Sequence, residues 1–399
     1  MDGGNKQQVT RCSIYIGRRS YRAEAIARLR VDSKAKGTSV WTKLKPQNIR
    51  TIFFATRAMD DQLQDRIRSL DDLELVVLLS LVSEQHCIIS SGRKGLQNLQ
   101  EELRLICTGV LGLRAASVHC TAETTVDKFN DSILIYCQDD GEGGEPTNRH
   151  FNFARPDFTA DFSLREETFG GIGGGLDERR VADVIIARDL DLANDTLQAQ
   201  ILELIRTKRV FTRTAMHSAP KDVLVIAITS SPTSRMTLHL QDQFSFSHLH
   251  DPDEGYPRLE DDVASEPQKS LFSQADVNTL RTLTKTVDYT VEIASYLHDI
   301  VIFLRQSRYV ESGVTGTATR QLRIISAALA PLHGLPYVTP SIVALAARKV
   351  YLHRLVLATA ETERSLKWGS DPEAVRQLLH GLGPEEVIQD TIGRVEVPL

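Results

Sequence analysis

Two apolar runs on either side of one amphipathic helix constrain the fold of this 399-residue chain more than any other feature. Val184–Ala187 and Val223–Ile228 are short and rich in branched residues, which is typical of strands buried on both faces of a sheet. Between them, Asp195 and Gln198 form a capping box that predicts the start of a helix. Strand, helix and strand in this order form the unit of a parallel sheet, so the sequence predicts an α/β core.

The composition is that of an ordinary globular protein, with 41% hydrophobic and 25% charged residues. A net charge of −5 gives no electrostatic reason to expect nucleic acid or an anionic membrane as a partner. The sequence has no run of 18 apolar residues and no apolar signal segment at its start, so we expect no membrane span. Five cysteines without a C-x-x-C motif favour buried, reduced thiols in a cytoplasmic protein.

The order and spacing of these elements resemble the AAA+ ATPases of the MoxR and magnesium-chelatase ATPase-subunit type. In that family a buried strand ends in Asp-Glu, and a helix then leads to a strand that ends near an Asn. Farther along, Tyr337-Val-Thr-Pro340 precedes a helix as it does in the helical lid of MoxR-type proteins. The resemblance covers about Leu70 to Leu357 and implies an AAA+ P-loop-NTPase-like parallel sheet followed by an all-α lid.

The resemblance and the local composition together divide the chain into five parts. We expect an N-terminal extension (1–60), an AAA+-like α/β core (61–247), an acidic linker (248–272), a helical lid (273–365), and a C-terminal helix with a tail (366–399).

A phosphate-binding loop belongs between the predicted strand Cys87–Ser90 and the predicted helix Leu99–Gly109. Such a loop needs glycines that let backbone N–H groups face the phosphates, a Lys for the β/γ-phosphates and a Ser or Thr for Mg²⁺. Here the Lys position holds Leu96 and the Ser/Thr position holds Gln97.

The loop residues Gly92, Lys94, Gly95 and Gln97 are therefore candidate nucleotide contacts in a degenerate site. The simpler interpretation is an ordinary strand-to-helix turn on which Arg93 and Lys94 are solvated.

The metal and base positions of the family also depart from the pattern. In working relatives the strand-end Asp holds Mg²⁺, which prefers hard oxygen ligands, and the next Glu polarises the attacking water. Here Arg188 takes the metal position and Asp189 the base position, with Asp191 as a further carboxylate. Asp189 and Asp191 are the candidate catalytic residues, and Arg188 would contact a phosphate or pair with Asp189.

Three other functional positions of the family are changed as well. Thr229 or Ser231 stands near the sensor Asn, and Gln243 stands at the arginine finger. A neutral amide cannot neutralise developing phosphoryl charge as an arginine does, a contribution of about 10³-fold or more in rate. Thr317 stands at the sensor Arg of the lid, with Arg320 one turn later as a candidate substitute.

Two motif-like stretches carry no predicted chemistry. Gly170–Gly175 lacks the G-x-G-x-x-G spacing and precedes a strand, so it predicts a flexible loop. His248-Leu-His250 lacks the further ligands of a metal cluster, and we predict no metal site apart from Mg²⁺ with a nucleotide.

Departures at five independent places favour an AAA+ module that has lost ATP hydrolysis and acts as a structural or regulatory subunit. The resemblance implies ATP or ADP with Mg²⁺ as cofactors, and a homo- or hetero-oligomer formed through AAA+-type interfaces. The alternative is an active ATPase like the magnesium-chelatase subunit, which drives metal insertion into a porphyrin by a partner. That alternative needs Lys94, Asp189, Asp191 and Arg320 to act from shifted positions. A plain adaptor, which needs no nucleotide, is a third hypothesis.

Overall fold

The computed structural model describes residues 61–136, 179–213, 215–260 and 270–398. The predicted N-terminal extension and the Gly170–Gly175 loop lie outside these residues. Within the described ranges, no helix combines the length and apolar character needed to cross a membrane.

The strands form one central parallel sheet and three small two-stranded sheets within the described residues. In chain order they are β1 (His86–Ser90), β2 (Ala115–His119), β3 (Leu134–Tyr136), β4 (Arg179–Val181), β5 (Val184–Arg188), β6 (Arg209–Phe211), β7 (Met216–Ser218), β8 (Leu224–Thr229), β9 (Phe244–Leu249), β10 (Val310–Ser312) and β11 (Val356–Leu357).

The α-helices precede, cross over and follow the central sheet. In chain order they are α1 (Asp61–Arg68), α2 (Asp72–Ser83), α3 (Leu96–Leu105), α4 (Val126–Ser132), α5 (Asp195–Thr207), α6 (Leu238–Gln241), α7 (Pro257–Glu260), α8 (Gln274–Thr286), α9 (Val291–Gln306), α10 (Gly316–Leu332), α11 (Pro340–Tyr351), α12 (Pro372–Leu379) and α13 (Pro384–Arg394).

The central sheet has the strand order β2-β5-β8-β1-β9. The chain leaves β1 for the far edge at β2 and later returns past β1 to β9, so the direction of the connections reverses beside β1. In open parallel sheets, ligands bind beyond the carboxyl ends of the strands at such a reversal. The carboxyl ends of β1, β5 and β8 therefore define the edge where a functional site is expected, and we call it the carboxyl edge.

Both faces of the central sheet are buried, as the apolar runs predict. Val184 and Ile186 of β5 pack into one hydrophobic cluster, while Ile185 and Ala187 pack into a second cluster on the opposite face. The first cluster continues through α2 and α3 into lid helices α8 to α11. The core and the lid thus share one hydrophobic core instead of each having its own.

Two lid helices begin at residues whose types predict a helix start. Ser273 and Asp276 form a capping box at the start of α8. Thr339 accepts a hydrogen bond from the backbone N–H of Ile342, and Pro340 is the first residue of α11. The spacing of apolar residues in α9 predicts one buried face that contains Val291, Ala294, Leu297, Val301 and Leu304. That prediction is wrong at its first position, because Val291 is 81% exposed and Ile293 is buried in its place.

Two local predictions differ from the structure, and one local element is not predicted. The cap of α5 is Asn194, whose side chain accepts from the N–H of Leu197, whereas Asp195 is already helical. The Gln198 side-chain amide donates to the carbonyl of Ala193 and accepts from the N–H of Thr237, so no capping box forms. A hairpin, β6 with β7, also lies between α5 and β8 and was not predicted.

Candidate functional site

The turn after β1 is shorter than a loop that encircles a phosphate. Only Ser91 and Gly92 separate β1 from the helical turn Arg93–Gly95, and α3 begins at Leu96. Gly92 has φ −58° and Gly95 has φ −95°, so neither glycine is left-handed. An anion-binding nest needs successive N–H groups turned inward by alternating right- and left-handed residues. This turn therefore forms no such nest.

The chain itself packs against the two glycines and occupies the space beside Gly95. Residues 251–260, which we call the strap, follow β9 and pass over the turn. A Cβ atom added to Gly95 would come within 3.0 Å of the Tyr256 hydroxyl oxygen, and one added to Gly92 would lie 3.6 Å from the Pro252 ring. The Tyr256 hydroxyl donates a hydrogen bond to the Gly95 carbonyl at 3.1 Å. The missing side chain of Gly95 thus leaves room for the strap, whereas the glycines of a phosphate-binding loop leave room for a ligand.

Two buried carboxylates fasten the strap to the helices on either side. Glu102 of α3 accepts hydrogen bonds from the backbone N–H groups of Arg258 and Leu259 at 2.9 and 2.8 Å. Glu74 of α2 accepts from the Arg258 guanidinium at 2.6 and 2.8 Å. Burial raises the pKa of Glu102, and the two amide donors oppose that rise. The described part of the predicted acidic linker is thus packed against the core.

The end of β5 holds a cluster of charged side chains. Asp189 Oδ2 lies 3.1 Å from Nε2 of His119 and 3.5 Å from Nε of Arg188. Asp189 is left-handed, with φ 56°, a conformation that costs a non-glycine residue free energy and that Asp adopts more readily than most. Its carboxylate is therefore held by two basic groups of this chain.

The thiol next to this cluster is not reactive. Cys120 is buried, and burial followed by the charge of Asp189 raises its pKa to about 12. Cys87 and Cys107 are also buried and free, as predicted, whereas Cys12 and Cys137 lie outside the described residues.

The hydroxyl groups at the end of β8 form hydrogen bonds with neighbouring residues of the carboxyl edge. The Thr229 hydroxyl lies 3.0 Å from the Ser90 hydroxyl and donates to the Ser231 carbonyl at 3.0 Å. The Ser231 hydroxyl lies 3.0 Å from the hydroxyl of Thr233 and accepts from its N–H. These contacts join the ends of β1 and β8 and give both hydroxyls partners within the chain.

The structure brings only some of the predicted site residues together. Strand register places Arg188, Asp189 and Ser231 at the carboxyl edge beside Gly92. Lys94 and Gln97 are exposed on the first turns after β1. The turn Leu190–Leu192 carries Asp191, one of whose carboxylate oxygens is buried without a hydrogen-bond partner. Arg320 is exposed on lid helix α10.

Asp242, next to the position that the resemblance assigns to the arginine finger, faces the lid. Asp242, the neighbour of Gln243, pairs with the buried Arg354 at 2.5 Å and accepts from the Thr315 hydroxyl at 2.7 Å. The Arg354 guanidinium also donates to Gln321 and to the backbone carbonyls of Asp242 and Phe244. Burial lowers the pKa of Arg354, and Asp242 opposes that effect. This network ties the core to α10 and to the end of α11.

These residues do not fit a bound Mg²⁺–nucleotide. The turn after β1 forms no anion-binding nest, Arg188 stands at the position that the family resemblance assigns to the Mg²⁺ ligand, and Asp189 is already paired with His119 and Arg188. A cation beside such a metal position raises the energy of a divalent ion there through Coulomb repulsion.

Sequence reasoning missed three residues that decide this arrangement. His119 ends β2, which the register aligns with Arg188. Pro252 and Tyr256 lie in the acidic stretch that was interpreted as a linker. The available signal was the Tyr256 aromatic ring between two prolines, because a solvated acidic linker has no reason to carry a large apolar side chain.

Comparisons with known proteins support the fold. The AAA lid domain family matches residues 302–378, and no curated protein matches the chain. Among solved structures, a candidate ATPase from Cytophaga hutchinsonii ATCC 33406 is similar at 14% identity and a TM-score of 0.57, covering 88% of this chain and 98% of its own.

A full-length MCM homologue from Methanopyrus kandleri matches at 13% identity and a TM-score of 0.41, over 81% of this chain and 63% of its own. That likeness is too weak to bear on the fold. The lid match, the first structure and the five-stranded parallel sheet agree with the predicted architecture. The chain has the fold of an AAA+ ATPase, an α/β core followed by a helical lid.

Proposed function

We propose that this chain is a structural or regulatory AAA+ subunit that does not turn over ATP. The observation that carries the proposal is the strap, since the buried Tyr256 hydroxyl occupies the space beside Gly95 and the Pro252 ring lies against Gly92 in the turn after β1. The paired state of Asp189 and the pairing of Asp242, next to Gln243, with the lid support the same conclusion from two other places in the fold. A relationship of this chain to the MoxR-type proteins is also part of this proposal.

The subunit would act by assembling with copies of itself or with an active relative. AAA+ proteins commonly form oligomers, and the exposed short helix α6, which precedes Gln243, would lie at the interface. It carries Leu238, which is 73% exposed, and His239, which is also exposed. An exposed leucine beside a segment anchored to the lid would give an apolar contact to a neighbouring subunit, since the buried centre of an interface is more apolar than the rest of the surface.

The test is calorimetric titration of the purified chain with ATP and with ADP, with and without Mg²⁺, followed by a turnover assay. We expect no binding at millimolar nucleotide and no phosphate release. Binding without Mg²⁺ and without turnover would keep the regulatory proposal and make nucleotide a structural ligand.

Mg²⁺-dependent turnover that is lost in Asp189→Asn and kept in the control Asp195→Asn would overturn the proposal. That result would establish the active ATPase alternative, and metal insertion into a porphyrin by a partner would then be the activity to examine. Asp195 is a suitable control because it lies in the first turn of α5, at the same end of the sheet but outside the charged cluster.

A further inference from the structure

A cavity of about 390 Å³ opens at the amino ends of the strands, on the opposite side of the sheet from the carboxyl edge. It lies between the core and the first lid helix, α8. Core residues before β2, β5 and β8 form one side, and Val277 with Arg281 of α8 forms the other. Cavities of this size between two packed units are typical of small-molecule sites.

The inner wall of the cavity is apolar. Leu81, Leu111 and Val277 are buried core residues, and Leu113 and Pro220 are half-buried beside them. A ligand that fills this space needs an apolar body, because the wall offers few polar partners to a polar one.

Two acidic and two basic side chains line the mouth. Asp222 pairs with the Arg281 guanidinium at 2.5 Å. The Asp183 carboxylate accepts hydrogen bonds from the backbone N–H and the side chain of Arg114, which does not line the cavity. Lys221 lines the same mouth and is exposed. Since both carboxylates have arginine partners, the ammonium of Lys221 is the charge that a ligand meets.

The Arg281 guanidinium is rigid as well as charged. Its Nε and one terminal nitrogen both donate to the Leu81 carbonyl, at 3.1 and 3.0 Å, and the other terminal nitrogen bonds Asp222. Its Nε also lies 3.5 Å from a carboxylate oxygen of Glu84, so the charge of Arg281 is balanced within the chain. Arg281 thus forms a fixed part of the mouth, and Lys221 is the cation that can reach a ligand.

We propose that this cavity binds a small amphipathic anion, with its apolar body against Leu81, Leu111 and Val277 and its carboxylate or sulfonate at Lys221. Such a ligand touches the core and the lid at once, so it stabilises their arrangement. The site is independent of the nucleotide question, because it lies on the other side of the sheet.

The test uses the full chain and the fluorescent probe 8-anilinonaphthalene-1-sulfonate, which has an apolar body and one negative charge. We expect saturable binding with a blue-shifted emission, and displacement by octanoate but not by octylamine. Lys221→Ala should weaken probe binding about two- to fivefold, as for loss of one exposed charge contact. Lys285→Ala, which removes an exposed lysine elsewhere on α8, should leave binding unchanged.

A second variant tests the apolar wall. Val277→Phe places a larger ring in the cavity and should weaken probe binding at least about tenfold, as expected when the volume needed by the ligand is occupied. Octanoate should raise the melting temperature of the wild-type chain and not of this variant, because only a protein that binds the ligand is stabilised by it. Absence of probe binding to the wild type, or equal displacement by octanoate and octylamine, would overturn the proposal.

Discussion

The buried ion pair between Asp242 and Arg354 should be strongly asymmetric when one partner is removed. The Arg354 side chain is 2% exposed, whereas the Asp242 side chain is 25% exposed and keeps the Thr315 hydroxyl as a partner. Asp242→Leu leaves a guanidinium buried without a counter-charge, which costs about 3–5 kcal/mol of unfolding free energy. Arg354→Met leaves a carboxylate that water reaches, so we expect a smaller cost of about 2–3 kcal/mol.

The double variant should recover about 1–3 kcal/mol relative to the sum of the two single costs, since neither charge is then left alone. The assay is urea unfolding followed by circular dichroism at pH 7, with the four slopes compared. A matched control is the exposed ion pair of Arg213 with Asp127 at 2.6 Å, where Asp127→Leu should cost less than about 1 kcal/mol. Additive single costs, or a cost for Asp242→Leu below that of the control, would refute the idea that this pair locks the lid to the core.

Three further predictions follow from single contacts. Gly95→Ala should lower the free energy of unfolding by about 1–3 kcal/mol, because the added methyl group clashes with the Tyr256 hydroxyl. Adding Tyr256→Phe removes that hydroxyl and should relieve most of the cost, as measured by urea unfolding. An undiminished cost in the double variant would contradict the strap contact. Burial followed by the charge of Lys208 lowers the pKa of His86 from 6.5 to about 3, so the unfolded chain binds the proton first and stability falls as the pH drops from about 6.5 toward 3. His86→Asn keeps an acceptor for the Val225 N–H and should flatten that slope by about 1.4 kcal/mol per pH unit, whereas an unchanged slope would show that His86 is not responsible. Leu238→Asp should weaken self-association measured by sedimentation, while the equally exposed change Val291→Asp on α9 should not, and equal effects would argue against an interface at α6.

The sequence predicts the strands and the lid correctly because the signals for them are local. Val184–Ala187 has apolar side chains on both faces of a short run, which only a doubly buried strand accommodates. Ser273 with Asp276 and Thr339 with Pro340 specify helix starts through hydrogen bonds within three residues. Such patterns depend little on the rest of the chain. The errors at Asp195 and Val291 are errors of one or two positions, where tertiary contacts chose between neighbouring residues.

By itself, the sequence determined an α/β core with a helical lid, and it differs from the family pattern at five positions of the nucleotide site that the resemblance implies. It could not determine what fills that site, because the strap reaches Gly92 and Gly95 from about 160 residues farther along the chain. The same holds for Asp189, whose partner His119 comes from another strand, and for Asp242, whose partner Arg354 comes from the lid. Local patterns report hydrogen bonds and burial within a few residues, whereas the closing of this edge depends on contacts that exist only after the sheet and lid have assembled.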